Sequence, residues 1–149
     1  MGRYRTQAQN ILDGPPPSCL GRVLLITQYG WIVDSDKSIF GEELQLNIYY
    51  AMGIRNSFEM DFDPVTGNLW DTENGPTIAD EINLIPSSFN GGWSQVQGYI
   101  KQSLLGRGIS SEDELVCFGN AKYYNPKFVW VTIIGPTVLI FLNSDKLGK

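Results

Sequence analysis

One short segment, from Ser57 to Phe62, restricts the fold more than any other part of the sequence. Apolar and acidic residues alternate along it, with Phe58, Met60 and Phe62 on one face and acids on the other. A period of two is typical of a β-strand that buries one of its faces. The segment therefore predicts a half-buried strand.

A turn and further strands are predicted around this strand. Pro64 presets the first corner of the turn that follows, and Gly67 accepts the positive φ that closes a hairpin. Leu69 to Thr72 is then the returning strand. Other strands are predicted at Gly21–Thr27, Trp31–Val33, Glu81–Ile85, Val129–Ile134 and Thr137–Phe141, and a short helix at Ser110–Leu115.

The composition agrees with an all-β domain. The 149 residues are enough for one domain with a substantial core, and 42% hydrophobic with 18% charged residues is typical of a globular protein. Sixteen glycines, eight prolines, seven tyrosines and seven phenylalanines favour short strands and turns over helices. Hairpins that recur every few tens of residues suit the four-stranded blades of a β-propeller.

Charge and hydropathy exclude two kinds of partner. A net charge of -5 with scattered basic residues argues against nucleic acid, which binds clustered Lys and Arg. The most apolar stretch, Phe128 to Leu142, is shorter than the ~20 residues of a membrane helix and is split by Gly135-Pro136, so no membrane span is expected. Residues 1–18 are predicted to be an extended tail, and they lack the apolar run of a signal peptide.

The inventory of side chains excludes several kinds of catalytic site. The sequence contains no histidine, and its two cysteines, Cys19 and Cys117, are far apart. A zinc site or a nucleophile paired with histidine is therefore not expected. The two cysteines either form a disulfide or remain thiols, and the sequence leaves both open.

Four motifs stand in order between Tyr50 and Tyr99. They are Gly53-Ile54-Arg55-Asn56, Glu73-Asn74-Gly75-Pro76, Asp80-Glu81-Ile82-Asn83 and Asn90-Gly91-Gly92-Trp93. In order and spacing they resemble the glucose/sorbosone dehydrogenase family, the soluble sugar dehydrogenases that carry pyrroloquinoline quinone (PQQ) and calcium on a six-bladed β-propeller. The resemblance implies that residues 1–149 form a single partial propeller domain of about two to three antiparallel blades, with 50–99 as the best-matching segment.

The resemblance also implies roles for six residues. Arg55 and Asn56 are expected to line the quinone pocket, where a guanidinium suits a tricarboxylate. The main-chain carbonyls of Gly75 and Pro76 are expected to hold the cofactor's calcium, and Glu81 with the Gly91 carbonyl a second calcium. The alternatives are an Arg55 paired with a nearby acid, an ordinary Gly-Pro turn, and an acid pair, Asp80 and Glu81, that is merely solvated.

Two departures from the family bear on function. The family's general base is a histidine, which this sequence lacks, and Ile54 stands where the motif often has histidine. A complete six-bladed ring also needs a longer chain. The expectation is therefore a fragment of a PQQ-dependent sugar dehydrogenase, inactive by itself, whose parent oxidises an aldose to its lactone.

Other roles remain open at this stage. The chain is alternatively a non-catalytic propeller that binds a partner, or a small β protein that binds calcium for stability. Open blade edges favour self-association, because unpaired strands and apolar faces attract each other. The resemblance suggests a periplasmic or secreted protein.

Overall fold

The computed structural model describes residues 23–29, 38–39, 48–102 and 108–142. Within them lie eight strands, two short 3-10 helices and no α-helix, in agreement with the predicted all-β class. The strands are β1 (Val23–Leu24), β2 (Tyr49–Met52), β3 (Ser57–Phe62), β4 (Leu69–Glu73), β5 (Asp80–Leu84), β6 (Phe89–Asn90), β7 (Lys122–Tyr123) and β8 (Phe128–Trp130). The helices are Ile100–Gln102 and Glu112–Glu114.

The first sheet has the order β3-β4-β5-β8, and every neighbouring pair is antiparallel. Its hairpin confirms the predicted turn, since Gly67 has φ +71° and donates its N–H to the Asp63 carbonyl at 2.7 Å. The side chain of Asp63 also accepts the Val65 N–H at 2.9 Å. This sheet has the pairing of a propeller blade.

The second sheet has the order β1-β2-β6-β7 and departs from an all-antiparallel blade. Strand β2 pairs with β1 antiparallel, but the β2-β6 and β6-β7 pairs are parallel. Parallel neighbours need a long connection. Strands β3 to β5 supply that connection between β2 and β6, so the two sheets are interleaved along the chain.

A hydrophobic cluster joins the two sheets. Phe89 of β6 and Ala51 of β2 are both fully buried, and they pack with Ile54 and Ile85. Met60 of β3 and Leu69 of β4 contact the same cluster from the first sheet. Burial of this apolar surface therefore fixes one sheet against the other.

Two expectations about the first sheet, one on burial and one on strand length, are only partly met. On the predicted inner face of β3, Met60 packs against the core, but Phe58 and Phe62 are 54% and 63% exposed. The predicted strand at Val129–Ile134 is shorter, since β8 ends at Trp130, whose partner Asp80 is the first residue of β5. Beyond Trp130 no residue of β5 remains to pair with the chain.

The apolar segment after β8 contains no strand, which corrects the prediction for Thr137–Phe141. Its side chains are mostly exposed, among them Val131, Ile133, Ile134, Val138 and Ile140. In the described part of the chain no strand pairs with residues 137–141, although the Phe141 ring lies 6.1 Å from the ring of Trp70 on β4.

The remaining predictions concern the N-terminal region, a short helix and membrane-spanning segments. Of residues 23–27, the described part of the predicted strand Gly21–Thr27, only Val23–Leu24 is a strand, while Trp31–Val33 and the tail 1–18 lie outside the described residues. The predicted helix at 110–115 is a 3-10 turn, and Ser111 makes no side-chain cap. Among the described residues, none of the helices has the length and hydropathy to cross a membrane.

Removal of the Phe89 ring is expected to destabilise the chain strongly. The ring is 0% exposed at the junction of the two sheets, so Phe89→Ala should lower the free energy of unfolding by about 3 kcal/mol or more. Phe58→Ala, on a ring that is 54% exposed, is the control and should cost below about 1 kcal/mol. Denaturant unfolding measures both, and equal losses would contradict a core at the sheet junction.

Candidate cofactor and metal site

The loop between β4 and β5, residues 74–79, is built around a glycine that accepts no side chain. A Cβ added to Gly75 would lie 1.9 Å from the Ile78 carbonyl oxygen and 2.7 Å from that of Ala79. The loop therefore folds back on Gly75 and brings carbonyl oxygens together there. The Gly75 N–H donates to Asp80 Oδ1 at 2.8 Å, which fixes this end of the loop.

Arg55 lies directly beside this loop. Its Nη1 donates to the Asn74 carbonyl at 2.5 Å, and its guanidinium lies 5.5 Å from the centre of the Trp93 ring. A guanidinium over an indole face is attracted by the ring. Three of the four sequence motifs thus meet at one place.

The backbone of the Arg55-Asn56 motif is also tied to β4 and its loop. The Arg55 N–H donates to Glu73 Oε1 at 2.6 Å, and the Asn56 carbonyl accepts the Asn74 N–H at 3.0 Å. The side chain of Asn56 is exposed. Glu73 therefore accepts a hydrogen bond from the Arg55 main chain, whereas the Arg55 guanidinium donates to the uncharged Asn74 carbonyl.

Four carboxylates are buried on β4 and β5, and Asp80 is one of them. Asp71, Glu73 and Glu81 are at most 3% exposed, and the strand register sets Glu73 opposite Glu81 and Asp71 opposite Asn83. Like charges on opposite positions repel each other. The interpretation of Asp80 and Glu81 as merely solvated acids is wrong, because both are buried.

Burial raises the pKa of three of these carboxyls, those of Asp71, Glu73 and Glu81. Desolvation raises the pKa of Asp71 to about 6, although the hydrogen bond from the Ser57 hydroxyl acts to lower it. Desolvation, reinforced by Glu81 and Asp71, holds the pKa of Glu73 well above its usual range. Desolvation also raises the pKa of Glu81 to about 7, opposed by the Gly98 N–H and the Asn83 amide.

Glu81 and Gly91, the predicted pair of calcium ligands, have separate contacts. Glu81 accepts the Gly98 N–H at 2.5 Å and the Asn83 Nδ2 at 3.1 Å. Gly91 donates its N–H to the Met52 carbonyl at 3.0 Å and packs closely against the Gly53 carbonyl. No hydrogen bond in the described part of the chain joins the two residues, and their joint role stays a prediction.

Several buried oxygens near these carboxylates have no hydrogen-bond donor. In the described part of the chain they are Asp71 Oδ2, Asn74 Oδ1, Asn83 Oδ1 and Gln97 Oε1. Buried acceptors are normally paired, and carboxylate, amide and carbonyl oxygens are the ligands that calcium prefers. No three acidic, cysteine or histidine side chains of the described residues form a metal-binding group, so an ion here needs carbonyl and amide oxygens as well.

The fold and the site define the class of protein to which the chain belongs. One of the two four-stranded sheets has the antiparallel pairing of a propeller blade and carries the Gly75-Pro76 loop and the buried carboxylates, with Arg55 beside the loop. A family model described as "Glucose / Sorbosone dehydrogenase" matches residues 3–149. The chain belongs to this family.

Individual relatives agree with this assignment. An uncharacterized protein of Synechocystis sp. is 30% identical over 144 residues, which cover 95% of this chain and 32% of that protein. The aldose sugar dehydrogenase YliI of Escherichia coli is 30% identical over 129 residues, covering 87% of this chain and 33% of the relative. The chain thus spans about a third of the length of the curated relatives it matches.

A solved structure shows the same fold. The PQQ-bound aldose sugar dehydrogenase of Streptomyces coelicolor superposes with a TM-score of 0.52 at 20% identity, covering 87% of this chain and 30% of that one. At this identity the likeness concerns the fold alone. It confirms the expectation of a partial β-propeller.

Reasoning from the sequence missed several residues of the site. The sequence assigns no role to Asp71, Glu73 or Gln97, and for Asp80 it offers only the alternative of a solvated acid pair with Glu81. The signal for the acids was their spacing, since Asp71 and Glu73 alternate on one face of β4. Nothing in the sequence signals the burial of Gln97, whose Nε2 donates to the Ala79 carbonyl at 3.0 Å.

The substitution Asp71→Asn is expected to flatten the dependence of stability on pH. The folded chain keeps a proton that the unfolded chain loses between pH 3.8 and about 6, so stability falls as the pH rises through this window. Asparagine carries no charge and still accepts the Ser57 hydroxyl. The variant should gain up to about 2 kcal/mol over the wild type at pH 8 and little at pH 4.

Urea unfolding at pH 4, 6 and 8 measures this effect. Asp113→Asn, on an exposed acid of the 3-10 turn, is the control and should leave the pH dependence unchanged. Parallel stability curves for Asp71→Asn and the wild type would show that the Asp71 carboxyl does not titrate in this window.

Proposed function

We propose that the chain forms part of the cofactor pocket of a PQQ-dependent aldose sugar dehydrogenase. The parent reaction is oxidation of an aldose to its lactone, with the hydride passing to the quinone. The observation that carries the proposal is the bond from Arg55 to the Asn74 carbonyl, which places a cationic side chain next to the Gly75-Pro76 loop. The names of the E. coli and S. coelicolor relatives support the substrate and the cofactor.

Calcium is the proposed ion at the Gly75-Pro76 loop. The Ile78 and Ala79 carbonyl oxygens of the loop lie close to the position that a Cβ of Gly75 would occupy, and carbonyl oxygens are ligands that suit a hard cation. Gly75 and Pro76 would hold the ion through their main-chain carbonyls. When bound, such an ion polarises a quinone carbonyl and so favours hydride transfer.

Glu81 and Gly91 are the proposed ligands of a second calcium with a structural role. Glu81 is 3% exposed and lies opposite Glu73, so a cation near it would offset the repulsion between two buried carboxylates. The unpaired oxygens of Asn83 and Gln97 support the presence of a positive charge in this region. The expected result is a fold that calcium stabilises.

The residues of this chain bind and orient rather than transfer protons. Arg55 has donors beyond the one that Asn74 accepts, and they suit the carboxylates of a planar anion. The Trp93 ring lies 5.5 Å from the Arg55 guanidinium and attracts it. Since the 149 residues include no histidine, we propose that they do not oxidise sugar by themselves and that the proton acceptor lies elsewhere in the complete site.

A non-catalytic binding propeller is the second candidate function. The lack of histidine in the sequence favours it, since the family's base is missing from these residues. The exposed rings of Phe62 and Phe128 on the edge strands of the first sheet also suit contact with another protein, including a second copy of this chain. Calcium and PQQ binding separate this candidate from the first.

Calcium is expected to raise the melting temperature of the metal-free chain at pH 7.5. Glu81→Gln removes a charged ligand and should reduce this rise, although the variant itself should be no less stable without calcium because it removes one of two facing charges. Glu112→Gln, at an exposed acid, is the control. An equal calcium effect in Glu81→Gln and the wild type would rule Glu81 out as a ligand.

PQQ is expected to bind the calcium-loaded chain through Arg55. Arg55→Ala should weaken binding about tenfold or more, and Arg55→Lys should recover only part of the loss because lysine lacks the paired donors. Lys122→Ala, at an exposed basic residue, is the control. Absorbance titration measures the affinity. Unchanged affinity in Arg55→Ala would rule Arg55 out as a PQQ ligand, whereas absence of any PQQ binding to the wild type would favour the non-catalytic candidate.

A further inference from the structure

One buried carboxylate, that of Asp80, bonds to two separate loops. Asp80 is 1% exposed and is the first residue of β5. Its Oδ1 accepts the Gly75 N–H at 2.8 Å, and its Oδ2 accepts the N–H groups of Ile134 and Gly135 at 2.6 and 2.7 Å. Bonds from N–H groups to a carboxylate are shorter and stronger than those to neutral acceptors.

The two loops share a feature that the sequence alone did not connect. Each contains a Gly-Pro step, Gly75-Pro76 before β5 and Gly135-Pro136 after β8. The N–H of the glycine in each step donates to the same carboxylate. Asp80 therefore fixes the two steps relative to each other.

The second loop has few other polar attachments. It lies beyond the end of β8 at Trp130, outside the ladder with β5. Among the described residues its other backbone bond to the body of the protein runs from the Ala79 N–H to the Val131 carbonyl at 3.1 Å. Ile134 itself is 59% exposed, so packing does little to hold it. The position of Ile134 and Gly135 depends on Asp80.

We propose that Asp80 is a positioning residue that couples the two loops, so that an ion bound at the Gly75-Pro76 carbonyls also orders Ile134 and Gly135. The coupling runs through a single rigid side chain that both loops need as an acceptor. Ion binding at the Gly75-Pro76 carbonyls rests on the proposed function, whereas the link between the two loops through Asp80 does not. Asp80 thereby shapes the site without contacting the ion.

Amide hydrogen exchange on the 149-residue chain, read by NMR, tests the link without any ligand. Asp80→Asn replaces one acceptor oxygen by an NH2 group and cannot satisfy both loops. Exchange at Gly75, Ile134 and Gly135 should become about tenfold faster or more. Asp80→Glu, which keeps both oxygens, should restore part of the protection. Unchanged exchange at Ile134 and Gly135 in Asp80→Asn would overturn the proposal.

The exposed hairpin provides a matched control. Asp63 also accepts a backbone N–H through its side chain, from Val65 at 2.9 Å. Asp63→Asn should leave exchange at Gly75, Ile134 and Gly135 unchanged. Faster exchange at these three amides in Asp63→Asn would mean that loss of any such carboxylate loosens the whole chain, and it would overturn a specific role for Asp80.

A second variant keeps the test decisive if Asp80→Asn does not fold. Ile134→Pro removes one donor at an exposed position and leaves the buried carboxylate in place. Exchange at Gly75 should then become faster, although the substitution lies on the other loop. Unchanged exchange at Gly75 would contradict the coupling.

Calcium chloride is the probe for the part of the proposal that depends on a bound ion. In the wild type, calcium should slow exchange at Gly75 and also at Ile134 and Gly135, whereas in Asp80→Asn it should no longer slow the latter two. A purely structural role for Asp80 would leave the calcium response of Ile134 and Gly135 intact, which would overturn the coupling. If calcium slows none of these amides in the wild type, the proposed calcium site fails, and the metal-free exchange still decides the link between the loops.

Discussion

The pairing of β4 with β5 is the constraint on which the rest of the structure depends. Its register sets Glu73 opposite Glu81 and Asp71 opposite Asn83, all of them buried. Such a set of acids costs stability unless protons or cations offset the charges. The same pairing also closes the 74–79 loop, and the Arg55 motif lies against this loop.

This arrangement relates stability to charge in two ways. Below the raised pKa values of Asp71 and Glu81, protons neutralise the cluster, and at higher pH a divalent cation can take their place. The side-chain oxygens of Asn83 and Gln97, which lack a hydrogen-bond donor, would also be stabilised by a nearby cation. If the proposed calcium binds, its stabilising effect should be larger at neutral pH than at acidic pH.

Local pattern was sufficient to predict the β3-β4 hairpin and β5, because alternation and a Pro-Gly turn act within a few residues. It failed after Trp130, where an apolar run pairs with no strand of the described residues and is mostly exposed. The parallel β2-β6 pair and the burial of Asp80 arise from contacts between distant parts of the chain, which no local pattern contains. The proximity of Arg55 to Gly75 followed only from the family resemblance, since spacing alone does not place them together.

We propose that the Gly75-Pro76 loop of this chain holds calcium through its main-chain carbonyls. A crystal structure grown at saturating calcium tests it most directly. The account predicts an ion at about 2.3 to 2.6 Å from the Gly75 and Pro76 carbonyl oxygens. Calcium bound only elsewhere, or absent from these two oxygens under those conditions, would contradict the account.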